Sequence, residues 1–129
     1  MAGELEAVVL EMFDALLKKD ADALARFTAD DSQGVDEISR RWLRGRDEMT
    51  RYIVGLLEMV DDVESELRDV HEKVYGDVGL VTFWLEQDYT LEGERQHVSA
   101  PTTVVLRREG EAWKLALFHS IPVPETATA

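Results

Sequence analysis

Between Glu4 and Lys18 the apolar residues Leu5, Val8, Val9, Met12, Phe13, Leu16 and Leu17 recur every three or four positions, which gathers them on one helical face. Glu4 and Glu6 near its start and Lys18 and Lys19 near its end match the two poles of the helix dipole. Asp20 is placed to cap a second, shorter helix carrying Leu24 and Phe27, and the polar group Asp30, Asp31, Ser32 and Gly34 reads as the turn that ends it. Residues 35–44 mix Val35, Ile38, Trp42 and Leu43 with charges and read as an irregular strand or loop. Asp47 can cap a third helix, in which Met49, Tyr52, Ile53, Leu56, Leu57 and Val60 again repeat at helical spacing.

After Asp62 the period shifts towards two. Gly76-Asp77, Glu92-Gly93-Glu94 and Glu109-Gly110-Glu111 supply turns between β segments expected at about 64–75, 78–91, 96–108 and 112–121. Helices first and a meander of long strands after predict an α+β domain over 1–121. Residues 122–129, PVPETATA, read as a flexible tail.

If the last two hairpins turn at Gly93-Glu94 and Gly110-Glu111, residue 102 lies across from about 85 and 119, with room for a slip of one position. One face then collects Val81, Phe83, Leu85, Val104, Leu106, Trp113, Leu115 and Leu117 and is expected to be covered by the helices. Its polar end holds Gln87, Tyr89, Thr102 and His119, the arrangement expected of a small-molecule site in an apolar cavity. The opposite face mixes Thr82, Trp84, Glu86, Asp88, Val105 and Arg107 with Ala116, Phe118 and Ser120, which suits a dimer contact better than open water.

His119 is the candidate acid/base, because imidazole both donates and accepts a proton near neutrality. A hydrogen-bonded core histidine is the competing reading. Gln87, Tyr89 and Thr102 are candidate ligand partners, and Phe13 and Trp42 candidate walls; Trp113 reads as core. Arg40, Arg41, Arg44, Arg46 and Arg51 crowd the entry to the third helix, where guanidinium forks can hold an anion or simply offset neighbouring acids. His71, His97 and His119 lack metal-ligand spacing, and no GxSxG, Walker or GxGxxG sequence occurs, so neither metal nor cofactor is expected.

Composition narrows the partners. A chain of 129 residues with 45% hydrophobic and 32% charged residues is sized for one globular domain. Its 27 acids against 14 bases give a formal charge of −13, which repels phosphate backbones and anionic lipid surfaces. Nucleic acid and membranes are therefore not expected partners. The absence of cysteine rules out disulfides and fits a reducing cytoplasm, and the acidic MAGELEAVVLEMF start does not look like a signal peptide.

The stretches LLKKDADALARFTADD, WLRGRDEM, VYGDVGLVTFWLE and GEAWKLALFHSIPVP, taken in order, resemble the SnoaL-like and ketosteroid-isomerase-like branch of the nuclear transport factor 2-like superfamily. The resemblance implies a cone-shaped roll, cystatin-like in fold, with three helices on a strongly curved, mainly antiparallel sheet around a cavity. It also implies a homodimer through the outer sheet face. Ketosteroid isomerases of this fold use a carboxylate base with a tyrosine and a protonated aspartic acid. Here the tyrosine position looks like Phe13 and the acid position like Thr102 or Thr103, with only Asp36 or Glu37 available as the base. Steroid isomerisation by that route is therefore not expected. What the resemblance implies instead is a small hydrophobic ligand with proton-transfer chemistry of isomerase, cyclase or dehydratase type, with His119 as the acid/base. The alternative is a non-catalytic binding or assembly domain, and enzyme status stays open at this level.

Overall fold

The computed structural model describes residues 3–124. Helix α1 (Glu4–Leu17) is followed by α2 (Ala21–Phe27), strands β1 (Thr28–Asp36) and β2 (Leu43–Arg44), helix α3 (Arg46–Met59), and strands β3 (Val60–Tyr75), β4 (Val78–Leu91), β5 (Glu94–Glu109) and β6 (Ala112–Ser120). The six strands form one sheet in the order β2-β1-β6-β5-β4-β3. All neighbours are antiparallel except β1 and β6, which run parallel.

The helices form for the reasons the spacing gives. Leu5, Val9, Met12 and Phe13 are buried on one face of α1. No side chain caps that helix from its own N-terminal residue, Gly3. Instead Glu72, on β3, accepts the Leu5 and Glu6 backbone N–H groups at 3.1 and 3.2 Å, placing a carboxylate where the helix dipole favours one. The expected cap at α2 is present, with Asp20 Oδ1 accepting the Ala23 N–H at 3.1 Å.

Three expectations change. The polar stretch 30–34 is not a turn but the middle of strand β1, because pairing with β6 uses the backbone of 28–36 and buries Thr28, Ala29, Ser32 and Gly34. Helix α3 begins two residues earlier than an Asp47 cap would set it. Gly45, at φ 88°, takes the cap position, and Asp47 falls in the first turn. The strands β3 and β5 start at 60 and 94 rather than 64 and 96.

The long strands bend. In β3 the pairing with β4 shifts register between Asp61 and Glu64 and between Arg68 and His71, and Asp62 and Asp69 there adopt φ of 51° and 54°. Such bulges increase local twist and curl the sheet around the helices. The core between the layers contains Leu5, Val9, Phe13, Val81, Phe83, Val104, Leu106 and Trp113. Trp113 is buried as expected, and its indole N–H donates to Glu4 at 3.1 Å.

Residues 121–124 carry no regular structure. The remainder of the expected tail, residues 125–129, lies outside the described residues. Among the described residues no helix is long and apolar enough to cross a membrane.

Candidate functional site

A cavity opens where α1 and α3 stand over the concave face of β4 and β5. Phe13 and Leu16 from α1, Ile53, Leu56 and Leu57 from α3, and Leu85, Val98 and Phe118 from the sheet make it mostly apolar. Its volume is about 110 Å³, several times the roughly 10–15 Å³ that one water requires. Phe13 is held by edge-on contacts with Phe83 and Phe118, at ring-centre separations of 6.3 and 6.4 Å.

The polar groups of this cavity are Asp36, Glu37, Ser65, Gln87, Tyr89 and Ser120. Asp36 ends β1 and opens a tight turn. Its Oδ1 accepts the N–H groups of Ile38 and Ser39 at 3.0 and 2.8 Å, and Ser39 Oγ in return accepts the Asp36 N–H at 3.0 Å. This is the local side-chain-to-backbone bonding for which Asp and Ser are suited. The same Oδ1 accepts the Tyr52 hydroxyl of α3 at 2.7 Å. Glu37 Oε1 accepts the Tyr89 hydroxyl at 3.2 Å. Burial, reinforced by the Asp36 carboxylate, pushes the Tyr52 hydroxyl far above its ordinary range. Burial, then the negative charge of Glu37, also raises Tyr89. Both phenols are thus kept protonated, as hydrogen-bond donors.

The positions expected to meet at the site divide. Phe13, Gln87 and Tyr89 line the cavity, and Gln87 Nε2 donates to Ser65 Oγ at 3.0 Å. Thr102 is buried beside it, its hydroxyl spent on Ala100 O at 3.1 Å and on Ser120 Oγ at 2.8 Å. His119 is on the other face. Thr102 pairs with Ser120 rather than with His119, because the pairing shifts by one residue between Val105 and Leu106, where Leu115 and Leu117 sit opposite them. A one-residue shift exchanges the faces of a strand, so Phe118 and Ser120 turn inward while Leu117 and His119 turn outward. The expected convergence of His119 with Gln87, Tyr89 and Thr102 is therefore corrected.

On the outer face the His119 ring lies 6.0 Å from that of Trp42, which is 42% exposed and takes no part in the cavity wall. Four of the five clustered arginines turn to local partners. Arg41 pairs with Glu48 and Arg46 with Asp30, Arg44 donates to Gln33, and Arg40 donates to the main-chain oxygen of Glu37. Among the described residues no three His, Asp or Glu side chains gather closely enough to hold a metal ion.

Tyr52 is the site residue that sequence reading passed over. Its helical spacing with Ile53 and Leu56 counts it as an apolar face position, and nothing local shows that its hydroxyl will reach Asp36. The Asp36-x-x-Ser39 spacing was the available signal, since it predicts a turn that fixes the carboxylate.

A SnoaL-like domain model matches residues 5–124. No curated protein matches the chain. Among solved structures, a nuclear transport factor 2-like protein from Streptomyces avermitilis, provisionally described as a dehydratase, superposes with a TM-score of 0.86 at 22% identity, covering 95% of this chain and 96% of its own. A ketosteroid isomerase-like protein from Erwinia carotovora atroseptica superposes at 0.77 with 20% identity and coverages of 93% and 94%. The CamKII hub homology domain of Chlamydomonas reinhardtii superposes at 0.76 with 18% identity and coverages of 94% and 97%. At such identities these likenesses show the fold. Because the family model spans nearly the whole described chain, the protein belongs to the SnoaL-like domain family.

Proposed function

We propose that the domain binds a small, mainly apolar molecule between its helices and its sheet, and moves a proton on it with a carboxylate of the Asp36-Glu37 pair. The observation that carries this reading is the Asp36–Tyr52 hydrogen bond of 2.7 Å beside the apolar cavity. Three donors converge on Asp36 Oδ1, and among the described residues none bonds Oδ2. The carboxylate is thereby held in place with one oxygen free. In the proposed step that oxygen takes a proton from a C–H next to a carbonyl, the electron pair moves onto the carbonyl, and the same carboxylate returns the proton to the carbon skeleton. In the proposed complex the Tyr89 hydroxyl turns from Glu37 to donate to the carbonyl oxygen of the ligand. The dehydratase and ketosteroid isomerase-like descriptions of the two structural neighbours are compatible with chemistry of this kind.

Methyl-resolved NMR with cyclohexanone as a probe tests both parts. Shifts confined to Leu16, Leu56, Leu57 and Val98 are expected, together with hydrogen–deuterium exchange at the ketone α-carbon that falls in the Asp36→Asn, Glu37→Gln double variant. An absence of shifts at millimolar probe refutes the binding site; binding without catalysed exchange refutes the proton transfer alone.

A second reading concerns assembly and rests on the outer sheet face. Trp42, Trp84, Leu117 and Val105 turn outward there, a mixed apolar surface that a second copy of the chain would cover. We propose a homodimer through this face, and the presence of a hub homology domain among the structural neighbours supports self-association. A cysteine-free chain is also suited to the reducing cytoplasm, which is our proposed location.

A further inference from the structure

We infer that the cavity selects a ligand with a protonated amine on an apolar body; this rests on the reading of the cavity as a binding site and specifies the charge of what it binds. Among the described residues, those that line it include two carboxylates, Asp36 and Glu37, and no lysine, arginine or histidine. Neither carboxylate takes part in a salt bridge among the described residues. Arg40, the guanidinium that reaches Glu37, meets its main-chain oxygen at 3.3 Å and not its carboxylate. Neutral phenols supply the side-chain hydrogen bonds to both acids, from Tyr52 and from Tyr89.

The cavity therefore presents negative charge that its own wall does not neutralise, next to apolar surface from Phe13, Leu57 and Phe118. An anionic ligand would meet repulsion from both acids and from a chain of formal charge −13. An alcohol would gain a hydrogen bond to a carboxylate. An ammonium group would gain such a bond and, in addition, direct attraction between opposite charges, while its hydrocarbon body fills the apolar space. After the cost of desolvating the ammonium, that added attraction is expected to be worth about tenfold in affinity.

Three probes of one shape separate the possibilities: cyclohexylmethylamine, cyclohexylmethanol and cyclohexanecarboxylate, titrated into the wild-type protein at neutral pH and followed by calorimetry and methyl NMR. The amine is expected to bind about tenfold tighter than the alcohol, with shifts at Leu56, Leu57 and Val98, and the carboxylate weakest of all. Glu37→Gln is expected to narrow the gap between amine and alcohol affinities several-fold, Asp36 remaining as the second carboxylate. Glu37 is the better position to vary, since Asp36 also closes the turn to Ser39. Equal binding of alcohol and amine by the wild type would overturn the charge selection and leave the binding site standing. Binding by none of the three, or shifts only away from the cavity, would remove the site itself and this inference with it.

Discussion

Single side chains decide what the cavity offers. Tyr52 joins α3 to the end of β1 through one hydrogen bond to a charged acceptor. Tyr52→Phe removes it with no change of shape, and is expected to cost about 1–2 kcal/mol, towards the low end for bonds to charged groups because the residue is only half-buried; urea denaturation measures it. His97 provides a test of the outer face. Its Nδ1 lies 2.7 Å from Asp88 Oδ1 and its Nε2 3.4 Å from Glu86, and the bond to Asp88 raises its pKa above the ordinary value. A histidine whose folded pKa is raised contributes stability that is complete below its unfolded value, about 6.5, and is lost as pH rises through the higher folded value. An NMR titration is expected to place the His97 midpoint above 6.5 and to return it towards that value in Asp88→Asn.

At the scale of elements, the two amphipathic helices and the four long strands were legible because their periods are unambiguous over a dozen residues. β1 was not. Its sequence, TADDSQGVD, has the composition of a turn, and it becomes a strand only because the far end of the chain, β6, supplies parallel pairing. The side on which His119 falls was hidden for a related reason. Reading residue 119 opposite 102 instead of 103 is an error of one position, and the bulge near Ala116 that causes it leaves no mark in a run as regular as AWKLALFHS. The correct inward placement of Trp113 and Leu115 shows that the reading failed only beyond the bulge. The capping of α1 by Glu72 was equally invisible, the two being 66 and 67 positions apart along the chain. Glu72→Ala is expected to destabilise the domain by about 1 kcal/mol, the usual effect of losing a helix cap, as a lower midpoint in thermal or urea unfolding.

For the molecule as a whole, the curved sheet gives two surfaces with different uses. The concave one holds the cavity and its two carboxylates. The outer one carries Trp42, Trp84, Leu117 and His119, and the proposed dimer would bury it. Sedimentation of the wild-type protein is expected to give twice the 14.6 kDa chain mass, and Leu117→Arg is expected to shift it to monomer with its circular dichroism unchanged. A wild-type monomer at micromolar concentration would dismiss the dimer without touching the cavity.

A ligand site on the concave face, away from His119, is separated from one on the outer face by comparing Leu57→Trp, which fills the cavity from α3, with His119→Ala, using calorimetric titration of cyclohexylmethylamine and cyclohexanone. Loss of binding in Leu57→Trp with affinity unchanged in His119→Ala is the predicted result. Binding that survives Leu57→Trp and disappears in His119→Ala would contradict it, and would move the site to the outer face of the sheet.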